Sequence, residues 1–344
     1  MTVYQQRDKK RNFPLRVPII GTLCLAFSLS GPIAAQAMDF SEHTEVQRFI
    51  DEVSERHGLD RAEVAELLGQ AKHRQEIIDA ITRPAEGLPW YRYRPIFLTD
   101  ERIRLGVAYW KEHQDILERV SAEYGVAPEI LVAIVGVETY YGRYRGRHRV
   151  IDALATLAFD YPPRGSFFRR ELEHFLLLTR EEGIDPLVLS GSYAGAMGVP
   201  QFISSSYRAY AVDGSNNGRR DLFSDPADIL ASVANYFRRH GWRDGDPVVA
   251  TAQVSGNAWR ELLVNDLRPR HSVAELRQAG IQFNATLADD RRARLLELET
   301  EDGAEHWVTL QNFYVITRYN HSPLYAMAVH QLSEAIREQR EAEQ

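Results

Sequence analysis

Cysteine is almost absent from this chain: Cys24 is the only one in 344 residues. It lies within the first 37 residues, which read as a targeting segment, so the rest of the chain carries no thiol. That excludes a disulfide framework, a cysteine nucleophile and a cysteine-based metal site. Long apolar runs are scarce too. Val17–Ser30 comes nearest, and it is too short to span a bilayer comfortably. Arg7, Lys9, Lys10, Arg11 and Arg16 precede or open it, and Ala35-Gln36-Ala37 follows. This is the make-up of a signal peptide over residues 1–37, with cleavage expected near Ala37-Met38. Leu23, before the cysteine, is not the small residue that a lipid-modified cysteine usually follows, which argues against a lipid anchor. The expected destination is a bacterial periplasm.

Positive charge is also in deficit. The chain has 41 Lys and Arg against 48 Asp and Glu, a net −7. Residues 1–37 hold five of the bases and one acid, so the remainder stands at −11. No Lys/Arg run outside the first segment forms a stripe, so nucleic acid and anionic membrane are poor partners. The eleven histidines include no His-Glu-x-x-His and no pair clustered with a carboxylate, which removes support for zinc hydrolysis. Phosphate loops and dinucleotide fingerprints are missing as well.

What is present is a large supply of apolar residues, 44%, enough for a sizeable core. Residues 38–125 have helical spacing in Val46, Phe49, Ile50 and Val53, in Val64, Leu67 and Leu68, and in Ile77, Ile78 and Ile81. The segment Pro84–Phe97 is expected to interrupt the helices and lie across a surface. Residues 126–245 continue as helix, with loops at Tyr161-Pro162-Pro163 and Gly191–Gly198. Pro247–Ala250, Ile281–Phe283 and His306–Leu310 have strand character, so 246–312 reads as a small β-rich insertion. Residues 313–344 return to helix at about Leu324–Arg340, with a solvated charged tail from Glu338. The fold class is mainly α.

One carboxylate stands out. Pro128–Glu138 reads as a helix, with Pro128 in its first turn and Gly142 as the stop beyond it. Leu131, Ile134, Val135 and Glu138 fall at i, i+3, i+4 and i+7, so the acid is in line with the core face. Losing hydration disfavours the charged form, and a proton held to roughly pH 6 rather than about 4.3 suits a general acid. The plainer alternative is a Glu at a helix end that reaches out to water. Tyr140, Tyr141, Tyr144 and Trp90-Tyr91-Arg92-Tyr93 supply aromatic faces and polar ends of the kind that stack on sugars. The run Gly191–Phe202 gathers small residues around Met197, which let a ligand or another backbone approach closely, with Ser192 and Gln201 as polar handles.

Taken in order, Val137-Glu138-Thr139, the Gly-Ala-Met…Gln loop and Arg318-Tyr319-Asn320 resemble the three motifs of lysozyme-like lytic transglycosylases. More narrowly, the chain resembles the membrane-bound lytic murein transglycosylase B family. Ile134–Thr139, Thr156–Pro162, Ser232–Phe237 and Asn312–Asn320 follow its pattern, and the likeness runs from about residue 42 to 333. The resemblance implies a lysozyme-like helical core over 126–245, an additional helical region and a small β domain. It implies cleavage of peptidoglycan between N-acetylmuramic acid and N-acetylglucosamine, leaving a 1,6-anhydro end, with Glu138 as acid and then base. By the same carry-over, Ser192, Gln201 and Asn320 hold sugar amides, and Tyr236 and Tyr319 shape the cleft. Tyr93 and Tyr325 are further candidates, and Met197 packs beneath the sugar. The expected partners are glycan strands and other cell-wall enzymes, with the chain a monomer. A lysozyme that uses water, or a catalytically silent glycan-binding scaffold, are the alternatives.

A second candidate site is the EF-hand-like loop 213–225. Asp213, Ser215 and Asn217 stand at positions 1, 3 and 5, Gly218 at 6, Arg219 at 7 and Asp221 at 9. Position 12 is Ser224 where an acid is wanted, and Asp225 comes one residue later. The resemblance implies a calcium loop; the departures imply weak, structural Ca²⁺ at most, and a metal-free Asn-Gly turn accounts for the same residues. No cofactor is required by the chemistry.

Overall fold

The computed structural model describes Phe40, residues 43–82 and residues 87–344. The signal segment expected over 1–37 lies outside them. Fourteen α-helices and seven strands follow along the described residues. The helices before the acid are α1 (Thr44–His57), α2 (Arg61–Gly69), α3 (Gln75–Ile81), α4 (Trp90–Phe97), α5 (Asp100–Glu112), α6 (Gln114–Tyr124) and α7 (Pro128–Thr139). The two-residue strands β1 (His148–Arg149) and β2 (Ser190–Gly191) enclose α8 (Val150–Phe159) and α9 (Gly165–Glu182). Next come α10 (Ser204–Tyr210) and α11 (Pro226–Arg239). Strands β3 (Val249–Val254), β4 (His271–Ser272), β5 (Ile281–Phe283), β6 (Arg292–Thr300) and β7 (Gly303–Thr309) form one antiparallel sheet, with α12 (Val273–Gln278) between β4 and β5. The chain closes with α13 (Gln311–Tyr319) and α14 (Pro323–Ala342).

At the centre is α7. Pro128 occupies its first turn, where a missing N–H costs nothing, and Ile130 through Gly136 are all buried. A helix apolar all round sits inside a helical body rather than on it. The expected single stripe is therefore too narrow a description. Helices α5, α6, α11 and α14 pack around α7, and α8, buried along its whole length, carries α9.

The sheet has order β4-β6-β7-β3-β5 and two dry faces. Along β6, Ala293 and Leu295 join a small core with Trp259, Val273, Leu276 and Ile281, whereas Leu296 and Leu298 join the helical core. Period-two alternation thus welds the insertion to the body. The segment Arg292–Thr300 lacked a plain polar/apolar alternation because both faces are covered, and it escaped the sequence reading.

Two expectations need correcting. Trp90–Phe97 does not break the helices; it is one, entered from Pro89, with Trp90 and Tyr93 buried. Of the residues before it, 83–86 lie outside the described set. The closing helix runs slightly past the expected Arg340, to Ala342, with Arg337 bonded to Glu334 and Glu341, while Glu338 and residues 341–344 are exposed as expected.

Candidate active site

Glu138 lies one residue before the end of α7, on the wall of a cleft of about 500 Å³. The helix ends at Thr139, one residue past the expected Glu138, and the chain turns sharply before Gly142. Tyr140, Tyr141 and Gly142 all take positive φ, at 53°, 61° and 81°. For the two tyrosines this costs about 1–2 kcal/mol each, so something must hold them there. The Tyr141 hydroxyl donates to the Arg102 carbonyl at 2.8 Å, and its ring lies over Gly136. A Cβ at Gly136 would come within 2.6 Å of the Tyr141 oxygen, so only glycine permits this approach. Beside Glu138, the buried Thr139 hydroxyl donates to the Val199 carbonyl at 2.9 Å and accepts from the Gly142 N–H at 3.0 Å. The end of α7 is thereby tied to the Gly191–Phe202 loop.

Glu138 Oε1 accepts a 2.5 Å hydrogen bond from the Tyr325 hydroxyl on α14. Burial raises the Glu138 carboxyl from its ordinary value to about 7, and the Tyr325 bond pulls it partly back. Burial also raises the phenols of Tyr319 and Tyr325 well above 10, with the Glu138 charge adding to the effect, so both remain donors. Tyr319 donates to the Pro200 carbonyl at 2.6 Å and Tyr236 to the Arg318 carbonyl at 2.5 Å. Their rings meet edge to face with centroids 4.9 Å apart, and Phe202 lies 5.7 Å from Tyr236. Both rings are fixed by their own hydroxyls and present hydrocarbon to the cleft. Among the described residues lining the cleft, Glu138 is the one carboxylate.

The structure brings Glu138, Gln201, Tyr236, Tyr319 and Asn320 to one cleft wall. Gln201 is held at φ 51°, and its amide nitrogen donates to the carbonyls of Gly198 at 2.9 Å and Arg145 at 3.1 Å. Its amide oxygen is the group left to accept. Three other expected residues are not among those lining the cleft. Met197 is completely buried, its backbone paired in both directions with Phe202, so its side chain supports the loop from below. Tyr93 is buried on α4 and packs on Phe97 at 5.2 Å, near enough to Tyr325 to raise its pKa. The Ser192 oxygen accepts from the N–H groups of Ala194 and Ala196 at 3.2 and 3.0 Å, closing the turn.

A transglycosylase SLT domain model matches residues 41–334. The chain belongs to the lytic transglycosylases. It is 44% identical over 308 residues to membrane-bound lytic murein transglycosylase B of Escherichia coli K12, covering 87% of this chain and 84% of that protein. The catenated lytic transglycosylase SltB1 of Pseudomonas aeruginosa superposes with a TM-score of 0.84 at 47% identity, over 88% of this chain and all of that one. The Escherichia coli lytic transglycosylase SLT35 in complex with calcium gives 0.81 at 45%, over 88% and 96% of the two chains.

In this transglycosylase the 213–225 loop is held by its own backbone. Asp213 accepts from the N–H groups of Asn217 and Gly218, and Asn217 from that of Arg219. Asp221 accepts from those of Phe223 and Ser224, and the Ser224 hydroxyl donates to it. Asp225 caps α11 through Ala227 and Asp228. The Ser215 hydroxyl makes only a long 3.5 Å contact to Asp213. The acids at positions 1 and 9 are thus turned to N–H groups and position 12 offers no carboxylate; these residues do not fit a full calcium set. Among the described residues no group of three His, Cys, Asp or Glu side chains converges as metal ligands would.

Sequence reasoning missed several cleft residues of the transglycosylase: Phe167, Phe168, Ile203, Ser206 and His321. The aromatic pair in the first turn of α9, which opens at Gly165 directly after Pro-Pro-Arg, was the available signal. Arg164 lies over both rings, at 4.5 and 5.2 Å.

Proposed function

We propose that the enzyme cuts the β-1,4 bond between N-acetylmuramic acid and N-acetylglucosamine in peptidoglycan without water, leaving a 1,6-anhydro ring. The observation that carries this reading is a lone carboxyl, its pKa raised by burial to about 7, in an aromatic cleft with no second acid among the described residues that line it. Glycosidases that use water usually place two carboxylates across the bond. Here one must serve twice. Glu138 first gives its proton to the bridging oxygen as the C1–O bond breaks, and the leaving sugar departs as an alcohol. The resulting carboxylate then takes the proton of the C6 hydroxyl on the sugar that remains, and that oxygen bonds to C1. The proton returns to Glu138 and no water is consumed.

Tyr325 occupies Oε1, so Oε2 is the oxygen that exchanges the proton. A carboxyl near pH 7 is balanced between giving and taking it. Gln201, Asn320 and the Ser192 hydroxyl proton bind the sugar amides, and Tyr236 and Tyr319 form the wall against the ring. Met197 and Tyr93 act from behind, as packing. The reaction draws on no cofactor, and the 213–225 loop works as a metal-independent turn. We place the enzyme in the periplasm, as a monomer on glycan strands and in the company of other cell-wall enzymes.

Mass spectrometry of fragments released from purified peptidoglycan tests the reading. Fragments one water lighter than hydrolysis products, absent with Glu138→Gln, are expected. Ordinary reducing ends would make the enzyme a lysozyme, and binding without release would make it a scaffold.

A further inference from the structure

A second cavity, of about 290 Å³, is lined by Arg74, Glu76, Arg147, His148, Arg149 and Asp152. Asp152, 1% exposed on α8, organises it. Its carboxylate accepts from the Lys72 N–H at 2.9 Å, from Arg74 Nε at 3.1 Å and from two nitrogens of Arg149 at 3.2 and 2.6 Å. One buried charge therefore holds two guanidinium groups that are still 40% and 30% exposed. Arg147 is exposed beside them, and neither its side chain nor that of His148 has an ion pair or hydrogen bond among the described residues. Three arginines against Asp152 and Glu76 leave a positive pocket on a chain of net charge −7. Pre-oriented guanidinium forks suit carboxylates.

This pocket adjoins the cleft through two short connections. His148 pairs with Gly191, three residues before Ala194 on the cleft wall. The Arg145 carbonyl accepts from Gln201, which lines the cleft, and Arg147 is two residues, at most about 7 Å of chain, further on. A peptide of four or five residues hanging from a sugar in the cleft reaches about 13–17 Å. Both connections keep the edge of the pocket only two or three residues of chain from residues that line the cleft.

We propose that the Arg74–Arg147–Arg149 pocket takes the free carboxylates of the peptide borne by the muramic sugar, so that peptide-bearing strands are held more tightly than bare glycan. The proposal rests on the reading of the cleft as a peptidoglycan-cutting site. It assigns Arg147 to substrate selection and leaves Arg74 and Arg149 tied to Asp152. Glu76 is the opposing charge, and removing it strengthens the site.

The test compares the full chain and its variants on purified peptide-bearing strands and on the same strands stripped by an amidase. Arg147→Ala is expected to raise KM about tenfold on peptide-bearing strands with kcat unchanged, and to alter neither constant on stripped ones. Glu76→Gln is expected to lower KM about threefold on peptide-bearing strands alone. Equal changes on both substrates, or none on either, would overturn the proposal. So would inorganic phosphate that inhibits cutting of both strand types alike, which would mark a general anion site. Were the unaltered chain to cut neither substrate, the reading of the cleft would fall by itself. Co-sedimentation would then decide the pocket, which stands only if Arg147→Ala weakens binding to peptide-bearing strands and not to stripped ones.

Discussion

Two groups of carboxylates lie within this chain, and their surroundings push them in opposite directions. Glu138 has one donor, Tyr325, in a dry cleft, and its pKa rises to about 7. Asp213 and Asp221 also feel burial. For Asp213 the N–H groups of Gly218 and Asn217 outweigh it, and for Asp221 the Ser224 hydroxyl with the N–H groups of Phe223 and Ser224 does the same. Both fall below the ordinary value. Behind them Asp228, buried on α11, accepts the N–H groups of Gly214, Ser215 and Asp221 at 2.7 to 3.0 Å, yet its complete burial still raises its carboxyl above the ordinary value. The comparison teaches what separates a reactive acid from a structural one. A half-buried acid given several donors, like Asp213 or Asp221, is held as an anion and organises a turn; an acid starved of them in a dry cleft keeps its proton and can transfer it.

The most severe way to break the contrast is Glu138→Gln, which removes the one carboxyl among the described residues that line the cleft. Turnover of cell walls should vanish while circular dichroism stays unchanged. The same variant carries a stability signature. A carboxyl with a raised native pKa holds its proton more tightly when folded, so stability is intact below about 4.5 and declines as pH rises through about 7. Glu138→Gln should therefore melt like the parent at pH 4 and above it at pH 8. The gain is at most about 3 kcal/mol, read by thermal denaturation at both pH values.

Next comes Asp228→Ala, which strips three N–H groups of their acceptor. A loss of about 3 kcal/mol or more is expected in urea denaturation, and a change below 1 kcal/mol would deny Asp228 its place at the centre of the loop. Tyr325→Phe sharpens the cleft side. Without the bond that lowers it, the Glu138 pKa should rise, so the alkaline fall of the pH–kcat profile should move to higher pH while the rate at pH 6, where the acid already holds its proton, stays nearly unchanged. An unmoved profile would show that Tyr325 does not set the proton affinity. The smallest effect belongs to calcium. With binding no tighter than about millimolar, 1 mM Ca²⁺ adds only about 0.4 kcal/mol, so the melting temperature should barely shift. A rise of many degrees would mean that the loop reorganises into a full ligand set.

How much was legible before the structure depends on how local each signal is. Helix α7 was readable because Pro128 and seven apolar neighbours are a local pattern. The left-handed turn that follows it was not, because Tyr140 and Tyr141 adopt that geometry only where Arg102 and Gly136 receive them. Strand β6 was hidden because two different cores cover its faces. Met197 and Gln201 share one loop and look equally available in sequence; burial sends one below the surface and the other to the wall.

The sequence alone determined the helical body, the acid at its dry helix end, the missing thiol chemistry and the family motifs, because periodicity, composition and motif order need no neighbours. Tertiary structure decided the proton affinity of Glu138, the bond from Tyr325 far along the chain, the isolation of that acid in its cleft and the gathering of three arginines around Asp152. Those are properties of distance and dielectric, and both exist only after residues remote in sequence have been packed together.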